Sequence, residues 1–162
     1  MAITNYTEEE RFDDAREKLG TIFHILQDFY SHTNWIELGY IEPCTALIDP
    51  EENIPNPANK HMILTSGYVR KSKPKGKCSH GGFPDYEEGI NKDYSDSSHG
   101  PLHTTAAEVA IDASVQLLEK IWRSLQKDQA LIFFRLMGLC NEMPKGEWTS
   151  RISLTSKKNI QM

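Results

Sequence analysis

Six of the chain's eight prolines fall between residues 43 and 84. Proline lacks a backbone N–H and its ring clashes with the preceding turn, so no long helix can run through that stretch. Regular helices must lie on either side of it. The middle must be held by something other than a backbone ladder of its own, because a loop this long inside one domain stays ordered for a functional or covalent reason.

Both flanks carry a helical repeat. Residues 7–34 read as one long helix, or as two joined near Gly20. Thr7 followed by Glu10 has the capping-box spacing, and Phe12, Ala15, Leu19, Ile22, Phe23 and Leu26 recur every three or four residues. The helix is expected to fray by Asn34–Trp35 or to run on to Leu38, with Gly39 as its C′ residue. Beyond the middle, Pro101 suits a first helical turn, and Leu102, Ala106, Val109, Ala113, Leu117, Ile121 and Leu125 continue the same spacing. Ala130 to Cys140 reads as a short third helix, and Met62 to Val69 as a short strand or extended turn. With 162 residues, the chain is long enough for one core. The fold class is all-α, with a long irregular, loop-rich insertion between the main helices. Residues 1–143 form the domain and residues 144–162 a loose tail.

The first helix has one polar feature that an ordinary solvent face lacks. Between Gly20 and Asn34 the only formally charged side chain is Asp28, with His24 and His32 four residues to either side. A helix turns by roughly 100° per residue, so these three form a ladder on one face. Two imidazoles and a carboxylate on one rigid element suit a divalent ion such as zinc. The other reading is a plain polar face opposite the apolar stripe. The ladder's neighbours Gly20, Thr21 and Ser31 are small enough to let other segments approach. His80 precedes Gly81-Gly82 in a turn-forming string, and His99 and His103 straddle the start of the second helix. His80 and His103 are the expected companions of the ladder, with His99 a further candidate. The small residues Ala107, Ala110 and Ser114 would let the second helix come close to the ladder and carry His103 to its mouth.

The net charge of −5 argues against a nucleic-acid groove, since phosphate binding wants a basic surface. No apolar run is long enough to cross a membrane, and the N-terminal residues show no secretion signal. Of the three cysteines, Cys44 and Cys78 could pair in an oxidising compartment, leaving Cys140 alone. In a reducing one, all three would be packed thiols.

At the ladder the sequence also resembles a known family. Leu19 to Gly39, then Leu64-Thr-Ser-Gly-Tyr68, Gly76-Lys-Cys-Ser-His-Gly-Gly82, Gly89-Ile-Asn-Lys-Asp93 and Leu102-His103 with Ala106-Ala107 are similar, in order, to the N-terminal, Het-C-like domain of von Willebrand factor A domain-containing protein 7 and its relatives. More remotely, the ladder looks like a helix of the zinc-dependent phospholipases C and single-strand-specific zinc nucleases. That likeness implies a zinc site built from His24, Asp28, His32, His80 and His103. The first resemblance implies an extracellular protein with an adhesion-type domain following this one, so the chain is expected to be partial, and its partner an unidentified extracellular protein. No histidine precedes His24, and Ala107 stands where the zinc enzymes carry a glutamate. The expected role is therefore a metal-binding interaction domain. The alternative is a zinc-dependent phosphodiester hydrolase that uses metal-activated water.

Overall fold

A computed structural model describes residues 11–55, 63–69, 72–81, 89–96, 99–126 and 129–139. Helix α1 spans Phe12–His32, α2 spans His103–Ser124 and α3 spans Ala130–Leu136. The long segment between α1 and α2 contains a 3-10 turn at Thr45–Leu47 and two two-residue strands, β1 (Gly67–Tyr68) and β2 (Cys78–Ser79). These pair in parallel, with Gly67 opposite Cys78 and Tyr68 opposite Ser79. The described structure is therefore mostly helical. The strand expected over Met62 to Val69 is reduced to β1.

Helix α1 runs through Gly20 without a break, because its apolar positions keep one phase on either side of it. Phe12, Ala15, Leu19, Leu26 and Tyr30 are all buried. The capping box at Thr7 and Glu10 and the 144–162 tail lie outside the described residues. In the first turn, Arg11 pairs with Asp14 and Arg16 with Asp13, exposed contacts worth a few tenths of a kcal/mol at most.

The helix stops at His32. Thr33 turns extended, and Asn34 binds the chain at residues 63–65 instead of continuing the spiral. Its backbone N–H donates to the Thr65 carbonyl (3.1 Å), its Oδ1 accepts from the Thr65 N–H (2.8 Å) and its Nδ2 donates to the Ile63 carbonyl (2.9 Å). One further turn follows and closes in a Schellman pattern. Tyr40 N–H reaches the Trp35 carbonyl, Gly39 N–H reaches that of Ile36, and Gly39 sits at φ +88°. Gly39 is thus the C′ residue of this extra turn and not of α1. The same pattern ends α3, with Gly138 at φ +67°.

Two apolar clusters show that α1 and α2 are antiparallel. The N-terminal half of α1 (Phe12, Ala15, Leu19) packs with Ile121 near the end of α2 and Leu136 of α3. The C-terminal half (Leu26, Tyr30) packs with Ala106, Val109 and Ala113 at the start of α2, and with Trp35, Ile36 and Cys44. Burying a large aliphatic or aromatic side chain contributes about 1.5–3 kcal/mol, so these two clusters carry the fold.

Candidate metal-binding face at the end of α1

The buried stripe and the His/Asp ladder lie on opposite sides of α1, and α2 packs on the stripe. The small residues of α2 do meet α1, as where Gln27 Nε2 donates to Ser114 Oγ (3.1 Å), but away from the ladder. The small face of α2 thus meets α1 on the side of the stripe and not on the side of the ladder. Exposure instead falls along it, from 76% for the His24 side chain through 46% for Asp28 to 25% for His32.

What covers the lower end is the loop between β2 and α2. Lys92 N–H donates to the Ser31 carbonyl (3.2 Å), which lays residues 90–93 across the last turn of α1. Asp93 is thereby brought to His32, with 3.4 Å between Asp93 Oδ1 and His32 Nε2. On the other side, Asp28 Oδ1 lies 4.0 Å from the same nitrogen, while Asp28 Oδ2 lies 3.4 Å from His24 Nε2. The His80 ring stacks on that of His32 at 4.7 Å between centroids and a tilt of 32°. His80 reaches this place because glycine stands at two crowded positions. A Cβ on Gly67 would meet His80 Cα at 2.9 Å, and one on Gly89 would land on the backbone of His80 and Gly81.

The remaining expected residues are disposed differently. His103 is held at the start of α2 by its Nδ1, which bonds the Lys92 carbonyl at 2.7 Å. His80 Nδ1 bonds the Gly81 carbonyl at 2.8 Å. Since a carbonyl only accepts, Nδ1 is the donor in both contacts. That is the orientation backbone carbonyls impose on metal-ligating histidines. His99 turns to Glu37, with 3.4 Å between His99 Nδ1 and Glu37 Oε1. The Cys44–Cys78 bridge is absent: both are free thiols. Cys44 is held in the core, where its N–H donates to the Tyr30 hydroxyl (3.0 Å), and Cys78 is fixed in β2.

Burial pushes the His32 pKa below the ordinary histidine value, and the neighbouring His80 and Lys92 push the same way against the pull of Asp93 and Asp28. Neutral imidazole is the form that binds metal. His32 Nδ1 is buried with no hydrogen-bond partner among the described residues. No three His, Cys, Asp or Glu side chains among the described residues converge into a formed metal site.

Beside the ladder, Lys92 is completely buried. Its three ammonium protons meet three acceptors: the Thr33 carbonyl (2.8 Å), the Ile90 carbonyl (2.9 Å) and Glu37 Oε1 (2.9 Å). Burial lowers its pKa, with Glu37 acting in the opposite direction. The charge also sits at the negative end of the α1 dipole, where a cation is favoured. Asp93, Lys92 and Glu37 were not singled out from the sequence. The one sequence signal for the first two is their place in the string Gly89-Ile-Asn-Lys-Asp93.

Comparison of the sequence with known proteins shows its family. A family model described as the VWA7 N-terminal domain matches residues 1–62 and 57–131. The chain belongs to that family. It is 39% identical over 155 residues to von Willebrand factor A domain-containing protein 7 of Mus musculus, covering 77% of this chain and 17% of the relative. For the Rattus norvegicus protein the identity is 41% over 134 residues, covering 64% and 15%. For that of Homo sapiens it is 39% over 132 residues, covering 63% and 15%. The chain thus spans 15–17% of the length of these VWA7 relatives. No solved structure matches it. Among the described residues, no helix of this VWA7-family domain is long and apolar enough to cross a membrane.

Proposed function

We propose that this VWA7 N-terminal-type domain binds a divalent metal ion, zinc by its donor set, and serves as a non-catalytic interaction module of an extracellular von Willebrand factor A-containing protein. The observation that carries the reading is the surround of His32. Donors bound at about 2.0–2.1 Å to one tetrahedral ion stand roughly 3.4 Å apart. That is the distance from His32 Nε2 to Asp93 Oδ1, and from His24 Nε2 to Asp28 Oδ2. Both are too long for good hydrogen bonds. The His80 ring, held by its Nδ1 on the Gly81 carbonyl and stacked against His32, brings a second imidazole to the same place and supports the same reading.

His32, Asp93 and Asp28 would hold the ion, with His80 and His103 as outer candidates. When bound, zinc would supply a positive charge that draws these donors together. The chain's own part is to pin the loop bearing Asp93 against the last turn of α1, so that binding fastens the loop to the helix. Zinc also activates water in hydrolases. The hydrolytic reading lacks a carboxylate at Ala107, and α2 stays on the far side of α1 from the ladder.

Zinc titration followed by calorimetry and thermal melting tests the proposal. Binding with a raised Tm is the expected result, with the ion held at His32 lost in Asp93→Asn and in His32→Ala. An unchanged Tm in saturating zinc would overturn it. Hydrolysis of a chromogenic phosphodiester, abolished by Asp28→Asn, would replace the interaction role with the enzymatic one.

A further inference from the structure

The upper half of the ladder is open where the lower half is covered. His24 and Asp28 Oδ2 form a two-donor pair on a solvent-facing edge of α1. Ile25, next to His24 in the chain but about 100° further round the helix, is 65% exposed. Gly20, one turn earlier, has nothing among the described residues within 4 Å of where a Cβ would stand. A mid-helix glycine is unfavourable in the isolated helix, and at this one no described segment packs close enough to need the space.

Resting on the metal-binding reading above, we infer that this edge is half of a second zinc site, completed by the same edge of another copy of the chain. Zinc takes four donors, and this edge offers two. A two-fold axis through the ion would present His24 and Asp28 from each copy, doubling two donors to four. Such an axis pairs each patch with itself, so one sequence feature supplies both sides. The bare backbone at Gly20, about 40° round the helix from His24, lets two α1 helices approach. The copies each carry a net charge of −5 and repel in the absence of the ion. Association is therefore metal-dependent.

Sedimentation velocity of the 162-residue chain in zinc chloride and in EDTA tests this, alongside a zinc-binding stoichiometry. A dimer in zinc that returns to monomer in EDTA is expected. His24→Ala, at an exposed position, should fold normally, still bind zinc through His32 and Asp93, and remain monomeric. Gly20→Leu, which brings bulk without a polar atom that could bond a donor, should weaken the dimer by obstructing the approach. Zinc binding by a chain that stays monomeric, or a His24→Ala dimer as stable as the parent's, overturns this inference and leaves the metal-binding reading standing. Failure to bind zinc at all overturns both.

Discussion

Replacing Lys92 with methionine should be among the most damaging single changes available to this domain. The side chain has no solvent exposure and satisfies the Thr33 and Ile90 carbonyls together with Glu37 Oε1. Methionine has nearly the same length and fills most of the space, so little of the loss would come from a cavity. What remains is a glutamate only 16% exposed in its side chain, whose Oε2 has no hydrogen-bond partner among the described residues and whose Oε1 keeps only His99 at 3.4 Å. Removing one member of a buried ion pair costs about 3–5 kcal/mol, because the other charge stays behind uncompensated. Against a domain stability of about 5–15 kcal/mol, that is a large share. The paired variant Lys92→Met/Glu37→Leu removes both charges, and its loss should be smaller than that of Lys92→Met alone. Two carbonyls still go unpaired in it, so it should not regain full stability. Urea unfolding followed by circular dichroism and by tryptophan fluorescence, with Trp35 close by in the core, would measure all four members of the cycle. A Lys92→Met loss below about 1 kcal/mol, or additive effects of the two changes, would refute the argument that the pair is coupled and buried.

The glycines give predictions of opposite sign. Gly89→Ala drives a methyl into the His80–Gly81 backbone and should cost at least about 1–3 kcal/mol, whereas Gly20→Ala, with open space around it, should stabilise the monomer by about 0.5–1 kcal/mol in EDTA. Tm values of the two variants, one below and one above the parent's, would check this. Tyr30→Phe removes the acceptor of the buried Cys44 N–H and should cost about 1–3 kcal/mol by chemical denaturation; the same burial holds the Tyr30 hydroxyl pKa up near 12, so its ionisation contributes nothing at neutral pH. Stability should also fall as the medium is acidified from about pH 6.5, since His32 takes up its proton later when folded than when unfolded. Below the ordinary histidine pKa the unfolded chain therefore binds more protons, and His32→Asn should flatten a plot of Tm against pH across that window.

The helices were legible because their signals are local. The three-to-four repeat from Phe12 to Tyr30 continues through Gly20, and Ala106, Val109, Ala113 and Ile121 fall on the face that the repeat selects. The ladder was legible for the same reason, since it is a spacing on one helix. Its surroundings were not. Asp93 reaches His32 only because Lys92 binds the end of α1 across about sixty residues of chain, and no periodicity encodes such a contact. Lys92 itself is a residue type that is almost never fully buried, so its sequence context argued for the surface. The small residues of α2 do bring it against α1, but they do not select the side on which it packs. The larger apolar stripe decides it, since it buries more area than the few methyls of the small face could.

Lys92 joins three parts of the chain at once. Its N–H and ammonium hold the end of α1, and its own carbonyl accepts from His103 at the first residue of α2. Helix termini ordinarily fray one by one, because each end depends on its own caps. Here the last turn of α1 and the first turn of α2 share a cap that neither helix contains. In amide hydrogen exchange the two should behave as one opening unit, with protection lost together when residues 90–93 lift away. The middle of each helix would keep its protons longer.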